Sequence, residues 1–202
     1  MNDGILTVRG GVFGLLTAFS NHASLKIKGV KVKEKEIQAI AALNQWGVPY
    51  LSTPFTPTMG FSLELSDLLT RLIQSDSTRL KLGVTAFFLV HSEKASAVLD
   101  ALPLLEEGQR QMLRYLYTAA VYLQRLWRRQ LAHFGNGLLP DYFSQELGLP
   151  EPVLLHGRLG LGALEEALQG HIHEPYNYKA SFDALIRLLL EEEKFCERAC
   201  QS

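Results

Sequence analysis

Residues 108–137 read GQRQMLRYLYTAAVYLQRLWRRQLAHFGNG, and the spacing of their apolar side chains decides the fold. Leu113, Leu116, Ala120, Leu123, Trp127, Leu131 and Phe134 recur at steps of three and four, the period of one helical face. At about 100° per residue, Tyr115, Ala119, Tyr122 and Leu126 widen that face to roughly half the circumference. No proline interrupts the run, and Gly135 and Gly137 close it. A helix this apolar needs cover on two sides. The pattern therefore predicts a long central helix over about 108–134, with the remaining chain packed around it.

Working outward, most of the sequence has the same helical period. Ile37, Ile40, Ala41 and Leu43 define a helix stopped by Gly47 and Pro49. Ser62 is a candidate cap for a helix carrying Leu65, Leu68, Leu69, Leu72 and Ile73. Asp76 or Ser77 caps the next, apolar nearly all round from Leu82 to Val90, and a shorter helix runs from Ser92 to Leu102. After the central helix, residues 141–148 read as a short helix ending at Gly148. Residues 153–170 read as a glycine-rich loop leading into another helix, and Ser181 lies near the start of the last one. In that helix Phe182, Leu185, Ile186 and Leu189 face inward.

Two stretches differ. Leu25-Lys26-Ile27-Lys28 and Val30-Lys31-Val32-Lys33 alternate apolar and basic residues about Gly29, as a hairpin does. Residues 48–61, VPYLSTPFTPTMGF, carry three prolines and exclude a regular helix. The reading is a mainly α, multi-helix bundle around the central helix, with a small β element near the N-terminus. Residues 1–60 form a small N-terminal region and 61–202 a helical domain.

Composition narrows the class. Of 202 residues, 47% are hydrophobic and 20% charged, which excludes a disordered or fibrous chain. No window reaches the roughly 18 apolar residues of a membrane span, so no membrane partner is expected. Cys196 and Cys200, four apart in a predicted helix, suit disulfide geometry poorly and favour a reduced, cytoplasmic protein. The net charge of −1 is unevenly spread, with six basic and three acidic residues in 1–60 against five and eleven in 141–202.

Several groups are candidates for chemistry. Arg110, Arg114, Arg125 and Arg128 fall within about 60° on an ideal wheel. With Arg129 they are candidate nucleic-acid contacts, although a charged stripe is also the ordinary solvated side of an amphipathic helix. Arg128-Arg129-Gln130-Leu131-Ala132-His133 resembles the Arg-x4-His signature of HEPN-type helical ribonucleases. That resemblance implies metal-independent RNA cleavage at a dimer interface, with Arg128 and His133 as catalytic residues. On an ideal helix the two stand about 140° apart, whereas Arg129 and His133 are i,i+4 neighbours. His133 also falls on the Tyr115 and Tyr122 flank, where a histidine hydrogen-bonded within a packed interface is the structural alternative.

His171-x-His173-Glu174, with His156 upstream, lacks the ligand number and spacing of a zinc site and reads as an exposed turn. Gly157-x-x-Gly160-x-Gly162 inverts the dinucleotide fingerprint and reads as a turn before a helix. Neither a metal nor a cofactor is expected. The sequence favours a non-enzymatic cytoplasmic interaction, adaptor or regulatory protein whose partner is another protein or a second copy. An RNA-cleaving or RNA-binding protein is the alternative, and a DNA-binding regulator using the basic segment 26–35 is a further one.

Overall fold

The computed structural model describes residues 26–27, 30–31, 34–48, 63–134, 137–152, 157–171 and 176–200, without the side chains of 26–31, 157 and 192–200. The chain divides into two compact units, Met1–Val32 and Lys33–Ser202. In the first, strand β1 (Lys26–Ile27) pairs antiparallel with β2 (Val30–Lys31), Lys26 opposite Lys31 and Ile27 opposite Val30. This is where the alternating pattern placed a β element. The lysine side chains of that pair, Ser62, and the proline-rich stretch 49–61 lie outside the described residues.

The second unit is helical, as the periodicity predicts. It contains α1 (Glu34–Gln45), α2 (Leu65–Gln74), α3 (Thr78–Lys81), α4 (Gly83–Val90), α5 (Ala97–Ala101), α6 (Glu107–Leu126), α7 (Gly157–His171) and α8 (Tyr178–Cys200). Helix α6 is the centre: α4 packs along one side of it and α7 along another. Helix α2 joins α1 and α5 to this stack, and α8 lies on α7. The two-sided cover that the width of the apolar face requires is met by α4 and α7. From Leu116 to Leu123 every residue of α6 is buried.

Local chemistry sets the helix limits. Helix α1 ends in a left-handed glycine, Gly47 at φ 68°, with the Gly47 amide bonded to the Asn44 carbonyl and Val48 to Leu43. Ser77 caps α3 by accepting from the Leu80 amide at 3.4 Å. The run 77–91, expected as one helix, is two. They join at Leu82, where Gly83 lets the backbone lie against α1: a Cβ there would stand 2.9 Å from Leu43 Cδ1. The helix expected over 92–102 is a 3₁₀ turn, α5 and a second 3₁₀ turn through Pro103. Helix α6 opens in a capping box, Glu106 accepting from the Gln109 amide and Gln109 from that of Glu106.

Three further expectations are corrected. The central helix stops at Leu126, about two turns before residue 134. Its end is fixed by the returning segment 137–140. Gln124 donates to the Gly137 carbonyl at 3.0 Å and accepts from the Leu139 amide at 2.7 Å. Arg125 donates to the Leu139 carbonyl at 2.7 Å, and Tyr117 to that of Pro140 at 2.8 Å. Chain passing back along α6 takes the place of another helical turn.

Residues 141–148 are turns rather than a helix. Asp141 accepts from both the amide and the hydroxyl of Ser144, and Gly148 turns left-handed at φ 66°. The glycines expected in a loop lie in α7 itself. Helix propensity opposes them, but contact with α6 requires one: a Cβ on Gly160 would stand 2.6 Å from Tyr122 Cζ.

Candidate functional site at the end of the central helix

Where α6 ends, α7 and α8 leave an open groove of about 550 Å³. From α6 and the turn after it come Leu126, Trp127 and Gln130; from α7 Arg158, Leu161, Gly162 and Glu165; and from α8 Lys179 and Asp183. Each element places these residues for a local reason. Helices α6 and α7 are antiparallel neighbours in register, with Gly160 beneath Tyr122 and the Tyr115 ring 5.8 Å from that of His171. This register brings the start of α7 to the end of α6. Within α7, Arg158, Leu161, Gly162 and Glu165 follow the three-and-four spacing of one helical face. Asn177 caps α8 by accepting from the Ala180 amide at 2.9 Å, which sets Lys179 and Asp183, four apart, on one side.

The groove is chemically mixed. Trp127 is half-buried: part of its ring packs on the core and part lines the groove. Arg158, Lys179 and Asp183 are exposed, and Glu165 is partly withdrawn from water. Burial raises the Glu165 carboxyl above its ordinary value; Lys179 opposes that shift and Asp183 adds to it. Among the described residues, none of these four charged side chains forms an ion pair or a hydrogen bond. Two cations and two carboxylates therefore border one groove while remaining available to a ligand.

The arginines singled out from the wheel are differently placed. Arg110 donates to the Leu105 carbonyl and pairs with Glu107 at 3.1 Å. Arg114 reaches Glu146 at 3.3 Å and Glu107 at 3.7 Å. Arg125 is held by Gln124 and Leu139, and burial lowers its pKa against the opposing charge of Asp141. These three fasten the chain to itself. Arg128 and Arg129 are exposed beyond the helix end, and Arg128 borders a smaller pocket of about 260 Å³ with Gln124 and Leu131.

His133 is also exposed, its ring centroid 4.0 Å from that of Phe134. The wheel angles among Arg128, Arg129 and His133 do not apply, because the segment is not helical. His171, expected in an exposed turn, ends α7 and is exposed, with Nε2 3.4 Å from the Gly108 carbonyl. His156 and His173 lie outside the described residues, and among those described no cluster of three metal-ligating groups occurs.

Sequence reading did not single out Arg158, Glu165, Lys179 or Asp183. The only signal was spacing: Arg158 and Glu165 seven apart, Lys179 and Asp183 four apart. Such spacing gives each pair a common face without showing that the two faces meet. Comparison with protein-family models, with curated proteins and with solved structures found no match. No helix among the described residues is long and apolar enough to cross a membrane.

Proposed function

We propose that the protein is a non-enzymatic, cytoplasmic α-helical interaction protein, an adaptor or regulator, that holds a segment of another polypeptide in the groove between α6, α7 and α8. The observation that carries this reading is the combination of half-buried Trp127 with four charged side chains that form no ion pair or hydrogen bond among the described residues. Interface cores favour a large aromatic anchor surrounded by polar groups. The test places a photo-activatable residue at Gln130, an exposed position on the groove, in cells that make the protein. A discrete cross-linked adduct, reduced by Trp127→Ala, is expected. Absence of any adduct overturns the reading. Light scattering at micromolar concentration then shows whether the partner is a second copy.

A second reading is favoured by the exposure of Arg128, Arg129 and His133 in the segment that follows α6. In it the protein binds or cleaves RNA through these residues. Incubation of RNA with the wild type and with His133→Ala decides between them. Loss of cleavage in the variant supports this reading, and equal cleavage, or none by either, removes it.

A further inference from the structure

The charges along the groove are ordered. Arg158 and Glu165 lie two turns apart on α7, about 10 Å at 1.5 Å per residue. Around Glu165 stand Asp183 and Lys179, which leaves that end with a net single negative charge. The other end has Arg158 beside the last turn of α6, with a single positive charge. Leu161 lies between them on α7, and Leu126 and Trp127, from the end of α6, add apolar surface to the same groove. Two carboxylates close enough to repel each other, one of them drawn from water, are relieved by a cation placed between them. An aromatic face alongside adds cation–π attraction.

Resting on the reading of the groove as a docking place, we propose that its occupant is a segment of a partner protein carrying an arginine. The guanidinium sits at Glu165 and Asp183 against Trp127, and a carboxylate of the same segment reaches Arg158. Arginine fits better than lysine because its planar, weakly hydrated head both bridges carboxylates and stacks on aromatic rings. The groove volume of about 550 Å³ lies within the range of small-ligand clefts, roughly 300–1,000 Å³. That is room for a short extended segment and too little for a whole helix.

The probe is the zwitterionic dipeptide N-acetyl-arginyl-glycine with a free terminal carboxylate. The full chain with Trp46→Phe retains Trp127 as its one tryptophan, since the sequence contains two. Titration of that variant is expected to give a saturable change in Trp127 emission. Glu165→Gln should weaken binding about tenfold, the loss of one charge-assisted contact. Replacing the probe's arginine by citrulline should abolish the response. Amidating its carboxylate should weaken binding in the parent and leave no further loss on Arg158→Gln. Far-UV circular dichroism of each variant confirms that it is folded.

No saturable change up to about 20 mM, weaker than the millimolar range of the poorest specific contacts, overturns the proposal. Equal binding of the citrulline peptide, or unchanged affinity in Glu165→Gln, does so too. The Gln130 cross-link separates the two levels. An adduct that forms in the wild type and persists in Glu165→Gln leaves the interaction reading standing and removes the arginine. Absence of any adduct removes both.

Discussion

Replacing Gly160 by alanine tests the contact between α6 and α7 that positions the groove. Two effects oppose each other. In an exposed helix interior, alanine in place of glycine stabilises by about 0.8–1 kcal/mol. At Gly160 the new Cβ would stand 2.6 Å from Tyr122 Cζ and 2.7 Å from Cδ1, with Cε1 nearer still. The ring cannot move aside, because Tyr122 is fully buried and its hydroxyl donates to the Pro150 carbonyl.

Overpacking of this kind costs typically 1–3 kcal/mol, and the rigid neighbour places it at about 3. The net is a destabilisation of about 2 kcal/mol, which for a chain of this length lowers Tm by about 4–8 °C. Gly162→Ala in the same helix is the control, since nothing lies within 4 Å of its Cβ position. It should leave Tm unchanged or raise it. Both are read by thermal unfolding followed by circular dichroism. A Gly160→Ala variant as stable as Gly162→Ala would refute the close approach, and with it the register that brings Arg158 to Trp127.

Further outcomes follow from the segment that ends α6 and from the buried phenols. Gln124→Leu strands the Leu139 amide, which is fully buried; urea unfolding should show a loss of about 1–3 kcal/mol, with faster hydrogen exchange at Leu139. Thr85→Val removes the 2.9 Å bond from its hydroxyl to the Leu116 carbonyl between α4 and α6 and should cost about 1 kcal/mol in the same assay. Burial pushes both Tyr122 and Tyr178 up from 10.0 to about 12, and Tyr117 higher still, with Tyr142 and Asp141 adding to that shift. The unfolded chain ionises these phenols first, so the stability they confer is full below pH 10 and is lost as pH rises from about 10 to 12 and beyond. Absorbance titration should show these three phenols ionising above the ordinary tyrosine value, and their complete ionisation below about pH 10.5 would contradict the burial.

How much was legible in the sequence depended on the range of the interaction responsible. Apolar spacing from Leu113 to Trp127 is a local signal, and it located the central helix and its need for cover on two faces. Gly47 as the stop of α1 and Ser77 as the cap of α3 were legible for the same reason: the groups they satisfy are a few residues away. Reading the helix on to residue 134 failed because Leu131 and Phe134 keep the helical spacing. What ends α6 instead is the bonding of Gln124 and Arg125 to residues 13–15 positions further on. Gly160 was misplaced for a similar reason, since its value in a helix comes only from a tyrosine 38 positions earlier, outside any sequence window.

The candidate site divides along the same line. Sequence alone determined that α6 is the organiser, that the chain is mainly helical, and that charged side chains cluster beyond Arg125. Tertiary structure decided which charges are committed and which are available. Arg110, Arg114 and Arg125 share a wheel face with Arg128, yet carbonyls and carboxylates brought by folding engage the first three. Glu165 and Asp183 lie on different helices, and only the packing of α7 on α6 and of α8 on α7 brings them to the groove that Trp127 lines. Periodicity reports which face of a helix is apolar because that depends on residues three and four apart. Convergence of groups 18 to 56 positions apart depends on the docking of helices, which no local pattern encodes.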